Sequence, residues 1–369
     1  MKHINSIKNK EQLKAIDVLR FPLIVLVIFI HSAAPEIQKV HLGADSKSLY
    51  ILFSEMISHN LGRIAVPCFF LFSGYFFFLS LSDFSRNNYL NQLKKRVRTL
   101  VIPYFLWNTL FIVIILIKNY LFHKIGLSYD EFWIYLNSTS CYEWFWGGPI
   151  NFPLWYMRDL ICMTILAPLF YYLFYYLKTI GLFILVLIYL SCYELGFSGF
   201  SMTAIFFFGA GAFFGIYKYN IVDLSQKNGK IIMFFALILF GYIITYNGED
   251  LYEIWIRIFV IFGVSSALFC GYLILKKSFL KSIFTRLAPT VFFIYVIHEL
   301  YLMNWINGFF IRMMWKSSDK SILISYFIIP IVCLMLSLLL YIIIKRLFPA
   351  FLQWSTGNRV INKPIMKTL

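Results

Sequence analysis

The stretch ILISYFIIPIVCLMLSLLLYIII, residues 322–344, runs for 23 residues without a charge. About 20 apolar residues in a row are what a helix needs to cross a ~30 Å hydrocarbon layer. Working outward, nine more apolar blocks of similar kind precede it, at roughly 16–34, 63–81, 99–118, 153–176, 180–195, 200–217, 231–246, 254–275 and 288–310. Lipid offers backbone groups no hydrogen-bond partner, so a spanning segment is a helix or part of a closed barrel. These blocks are continuous rather than alternating, which selects helices. The expected fold is an all-α integral membrane protein, a bundle of about ten transmembrane helices.

Composition excludes the soluble classes. The 369 residues are 60% hydrophobic and 20% aromatic with only 14% charged, against about 25% charged in a soluble domain. A net charge of +16 would point to nucleic acid in a soluble protein. Here 22 of the 33 Lys and Arg fall in the termini and the even-numbered connections, which places those parts on the cytoplasmic side against an anionic leaflet. Membrane lipid is therefore a partner and nucleic acid is not. The reading is a single transmembrane domain over 1–369 with both termini cytoplasmic, short tails at about 1–14 and 346–369, and no fused soluble domain. The long connection 119–152 carries Trp133, Trp144 and Trp146, as an interfacial segment would. Arg20 interrupts the first block, which argues against a cleaved signal peptide. Of six cysteines, those at 68, 162, 270 and 333 lie in apolar runs and read as small buried hydrophobes. Cys141 and Cys192 both fall near the outer face, where a disulfide is open to them. No CxxC or His/Cys cluster suggests a metal site.

Titratable residues inside spans are costly and mark function by default. The first block reads Asp17-Val18-Leu19-Arg20, then ten residues, then His31. Eleven residues make about three turns, so Arg20 and His31 share one helix face ~16 Å apart along the axis. Asp17 stands three residues before Arg20 and can hold it. Either residue alone is explained by a snorkelling Arg or a His bonded to a carbonyl; the pair on one face favours chemistry. Arg63 enters the second block at the depth of His31. Ser73 and Gly74 in that block suit close helix packing. The run Lys94-Lys95-Arg96-Val97-Arg98 anchors the third block on the cytoplasmic side and offers forked donors to phosphate. Trp155, Arg158 and Asp159 open the fourth block at its outer side. The ninth places His298 and Glu299 in its outer half. By depth alone His31, Arg63, Trp155, Arg158, His298 and Glu299 can meet in one polar cavity.

With Arg20–x10–His31, VPCFFLFSGY (66–75), KRVRTLVIPY (95–104), LWYMRDL (154–160) and IYVIH (294–298) in this order, the chain closely resembles the acyltransferase-3 family of membrane enzymes. The resemblance implies a ten-helix bundle in a bacterial inner membrane. It also implies acyl transfer, commonly of acetyl from acetyl-CoA, to a hydroxyl of a cell-surface polysaccharide, glycolipid or other lipid-linked saccharide acceptor. Acyl-CoA is then a donor substrate, and no bound cofactor is expected. The family's active Arg and His match Arg20 and His31. Its Arg-x-x-Arg on the third helix falls on Lys95-Arg96-Val97-Arg98, so Arg96 and Arg98 both stand as donor-phosphate residues beside Arg20. The expected catalytic residues are His31, as general base, and Arg20. Asp17, Arg63, Trp155, Arg158, His298 and Glu299 line the substrate pocket. Direct transfer and an acyl-enzyme both remain open. The alternative to the enzyme is a transporter or flippase for a glycan precursor or small solute, since polar residues at depth also describe a path; the two halves show no inverted repeat in its favour.

Overall fold

The computed structural model describes residues 2–33, 36–41, 43–126, 131–249, 251–312 and 318–358. Among these every regular element is helical. In chain order they are α1 Lys2–Ile30, α2 Ser46–Phe53, α3 Ala65–Leu79, α4 Arg86–Arg96, α5 Ile102–Lys124, α6 Glu131–Ser138, α7 Trp155–Ile165 and α8 Ala167–Leu190. The second half holds α9 Met202–Ile216, α10 Ile221–Thr245, α11 Tyr252–Lys276, α12 Ser278–Leu287, α13 Val291–Ile297, α14 Asn304–Arg312, α15 Asp319–Leu347 and α16 Pro349–Ser355. Wide π turns join some of them, at Ser54–Asn60, Val97–Val101, Glu143–Gly147 and His298–Met303. The polar residues between apolar runs supply the helix starts: Asp45 caps α2, Ser201 caps α9, Asn220 caps α10, and Ser318 with Ser321 boxes α15. Each cap satisfies amide groups that the first turn leaves open.

Seven helical stretches among the described residues are long and apolar enough to cross a membrane, and the protein is an integral membrane protein. The ten blocks read from the sequence fall largely on helix, but three features lower the number judged by length and composition. Block 16–34 carries Asp17 and Arg20 within α1, and α9 has only 15 residues. The third feature is in α8, where Lys178 has φ 48 and ψ −125 and turns the chain back. Beyond that break Gly181 packs against the Leu173 carbonyl and the Phe174 ring, while Phe170 and Leu185 both stand against Gly209. In a straight helix these two side chains would be ~22 Å apart. The stretch is a helical hairpin.

Helix α1 lies inside the bundle and touches α3, α10, α11, α12, α13 and α15. Ala15, Ile16, Leu19, Ile24 and Ile28 on it are buried. The helix starts at Lys2, so regular structure covers residues ahead of the apolar run. The tightest packing is between α3 and α9. A Cβ on Gly74 would strike the Phe208 carbonyl, one on Gly211 the Leu71 carbonyl, and one on Gly215 the Tyr75 carbonyl. The backbones touch, which is the role expected of Gly74 and which only small residues permit.

Connection 35–62, assigned no structure from the sequence, contains an outer layer built by α2 and the π turn Ser54–Asn60. The Ser58 hydroxyl donates to the Phe29 carbonyl at 2.6 Å and shares a hydrogen bond with Tyr326 at 2.8 Å. The fully buried Glu55 accepts from the Gln38 amide at 2.8 Å and from Asn247 Nδ2 at 2.7 Å. Asn247 also donates to the Gln38 carbonyl at 2.8 Å. Beside this clip Lys39 bonds Glu249 at 2.7 Å, which holds the Glu249 carboxyl below its ordinary pKa.

All six cysteines are free thiols, so the bridge left open between Cys141 and Cys192 is not formed. Cys68, Cys162 and Cys333 are buried as expected, whereas Cys270 is exposed on α11. The reason is general: a lipid-facing flank is as apolar as a core flank, so an apolar run does not tell them apart.

Replacing Gly211 by Val should drive α3 from α9 and cost about 1–3 kcal/mol or more, read as a lower melting temperature in detergent. Gly241→Ala, where an added Cβ meets nothing, should be neutral or slightly stabilising. Equal melting of both variants would refute the contact.

Candidate active site

His31 follows the last residue of α1, in a turn where the Ser32 amide bonds the Phe29 carbonyl at 3.0 Å. Its Nδ1 is 3.3 Å from Glu299 Oε1, and both side chains are about four-fifths covered, with 18% and 21% exposed. The ring of His298 lies 5.1 Å from that of His31, centre to centre. Two consecutive residues of one helix thus reach the same partner. In an α-helix neighbours point about 100° apart. Here His298 opens the π turn His298–Met303, whose wider i→i+5 winding brings both side chains towards the end of α1. His298 is fully buried, and its Nδ1 lies 2.8 Å from the Tyr295 carbonyl. Its own carbonyl takes the Cys333 thiol at 3.3 Å.

Towards the opposite end of the bundle the site continues through aromatic rings. The Tyr295 ring lies tilted 6.4 Å from that of His298 and meets Tyr156 edge-on at 5.9 Å, and its hydroxyl donates to the Pro153 carbonyl. Tyr156 packs 4.6 Å from Phe70, which also meets Trp155 at 6.4 Å. Arg96 turns inward to this group. Its Nη2 is 3.4 Å from the Ser73 carbonyl, its guanidinium carbon is 5.7 Å from the Phe77 ring centre, and Tyr156 is within electrostatic reach. Arg98, two residues on, is exposed. The two arginines that the sequence leaves level are therefore unlike: one points into the bundle and one away from it. Tyr156 and Tyr295 lie in quoted motif blocks but were given no role. Nothing in a single sequence separates them from the other 23 tyrosines.

Arg20 pairs with Asp17 at 3.1 Å on the flank of α1, and the two side chains are 39% and 42% exposed. Arg63 and Arg158, also expected in the cavity, bond partners outside the expected set. Arg63 faces Glu253 at 3.6 Å. Arg158 spends its donors on Asp159 at 2.9 and 3.0 Å and on the Trp146 and Gly147 carbonyls at 2.8 and 2.9 Å. It thereby pins the Trp-bearing connection to α7, and Asp159 Oδ2 goes on to accept from the Ser201 amide at 3.3 Å. Depth along a span was the only guide to that expected gathering, and depth does not fix which way a helix faces.

A family model of an acyltransferase domain matches residues 13–346. The chain is also similar to the succinoglycan biosynthesis protein ExoH of Rhizobium meliloti. The two are 25% identical over 360 residues, covering 93% of this chain and 92% of that protein. No solved structure matches. With nearly the whole chain inside the matched region, the protein belongs to the acyltransferase-3 family and is a membrane acyltransferase.

Proposed function

We propose that the protein transfers an acetyl or other short acyl group from acyl-CoA to a hydroxyl of a cell-surface polysaccharide or glycolipid, with His31 as the general base. The observation that carries this reading is the His31–Glu299 contact at 3.3 Å beneath the outer layer. A carboxylate that accepts from Nδ1–H fixes the tautomer and leaves a lone pair on Nε2. It also stabilises the imidazolium that forms when the base takes a proton. In the step, the acceptor hydroxyl gives its proton to His31 Nε2 as its oxygen attacks the thioester carbonyl. The O–C bond forms, the C–S bond breaks, and the thiolate of CoA leaves and collects the proton from His31.

The donor enters from the cytoplasmic end, where Arg96 presents its fork to phosphate and Arg20 adds a second positive charge. From Arg96 through Tyr156, Tyr295 and His298 to His31 runs the line along which the extended pantetheine arm lies. The glycan acceptor is supported by the similar protein's part in succinoglycan biosynthesis. The arrangement spans a bacterial inner membrane ten times, with α1 and the α7 to α9 region contributing the crossings that length and composition leave out. Both termini are then cytoplasmic, in line with the Lys and Arg distribution.

Three results test this. In nanodiscs, His31→Ala should lower kcat by about 10²–10⁴-fold and Glu299→Gln should lower it in the same direction, with acyl-CoA binding retained; an active His31→Ala protein would refute the base. Arg96→Gln should raise the KM for acetyl-CoA about tenfold or more, as loss of a charged hydrogen bond does, while Arg98→Gln stays within about twofold. The opposite ranking would move the phosphate site to the exposed arginine. A variant keeping Cys141 alone should react with a membrane-impermeant maleimide from outside intact spheroplasts, and protection there would invert the topology.

A further inference from the structure

Six buried side-chain nitrogen or oxygen atoms lack a hydrogen-bond partner among the described residues, and three of them belong to the sequence neighbour and the two contact partners of His31. They are Ser32 Oγ, on the next residue; His298 Nε2, on the ring beside it; and Glu299 Oε2, the second oxygen of its carboxylate partner. Buried polar atoms in folded proteins are nearly always paired, and an exception at a reactive centre points to a ligand. The chemistry of that ligand can be read from the atoms. A backbone carbonyl only accepts, so the 2.8 Å contact between His298 Nδ1 and the Tyr295 oxygen puts the ring proton on Nδ1. His298 Nε2 is then a bare lone pair, and Glu299 Oε2 is another acceptor. The reacting hydroxyl has one proton, and His31 takes it. A thioester carbonyl has none.

We infer that His298 Nε2 accepts a hydrogen bond from a second hydroxyl of the acceptor, next to the one acylated, with Glu299 Oε2 and Ser32 Oγ as its polar surroundings, so that the enzyme selects sugars with neighbouring free hydroxyls. This rests on the glycan-acylation reading above and adds to it a rule of acceptor choice. His298 acts here as a specificity residue. It binds the hydroxyl that does not react, and its position at the first residue of the π turn sets where that hydroxyl sits relative to the base.

The test compares methyl α-glucopyranoside with its monodeoxy analogues as acceptors, at fixed acetyl-CoA, for wild type, His298→Phe and His298→Gln in nanodiscs. Both kcat/KM and glycoside binding are measured. Wild type should disfavour the analogue lacking the neighbouring hydroxyl about tenfold or more, as sites built to bond a hydroxyl do. His298→Phe should bring the parent glycoside down to the level of that analogue, so that the ratio between the two falls to about one whatever happens to the overall rate. His298→Gln, whose amide oxygen accepts in place of Nε2, should restore most of the preference. A structural role for His298 would lower both acceptors equally, and an unchanged ratio in His298→Phe overturns the subsite. So does a rise in the acetyl-CoA KM with the ratio intact, which would give the lone pair to a pantetheine amide. Should transfer to every glycoside fail, the acylation reading fails, and binding still decides the subsite. A preference for the parent that His298→Phe abolishes supports it, and equal binding overturns it.

Discussion

Lipid accepts and donates no hydrogen bonds, and the rest of this structure follows from that. A polar group within the bilayer must be answered by another group of the same chain, or it remains as a cost of several kcal/mol. The chain answers most of them. Asn108 bonds the Tyr104 carbonyl and receives the Asn151 amide, Asn151 reaches the Val296 carbonyl, and Trp107 donates to the Ser355 carbonyl. Arg158 is the extreme case, a guanidinium that makes four hydrogen bonds to its neighbour and two carbonyls. Groups satisfied in this way build architecture. Of the six buried side-chain atoms left unsatisfied among the described residues, three belong to Ser32, His298 and Glu299, where α1 meets the π turn of His298.

Much of this was legible in the sequence, and the reason is the same constraint. A span must be long, apolar and nearly free of charge, so its existence is written in composition, and the ten blocks fall largely on helix. Charged and titratable residues that break the rule stand out in a sequence, as Arg20, His31, His298 and Glu299 do. What a sequence does not carry is azimuth. Arg63 and Arg158 sit at suitable depth but face Glu253 and Asp159. Arg96 and Arg98 read alike but differ in direction by the width of a helix. The hairpin at Lys178 could be placed, because a single Lys there separates two apolar blocks. The outer layer from Ser46 to Asn60 could not, because a short half-polar helix held by Glu55 and Ser58 has no compositional signature of its own.

The site is assembled from elements far apart in the chain, and each has a local reason for being where it is. The turn after α1 leaves His31 at the helix end, the π turn widens the ninth block at His298, and the aromatic pair Tyr156 and Tyr295 fills the space between there and Arg96. The clip of Glu55 and Asn247 on Gln38 lies seven residues beyond His31. The chain beyond His31 is thus anchored again at Gln38.

The glycine seam between α3 and α9 has a mechanical consequence. Where backbones are in contact there is no layer of side chains to slide or change rotamer, so that pair behaves as a stiff rib through the bundle. Any yielding of the bundle is left to elements outside that rib, such as the helix interrupted at His298, which meets α15.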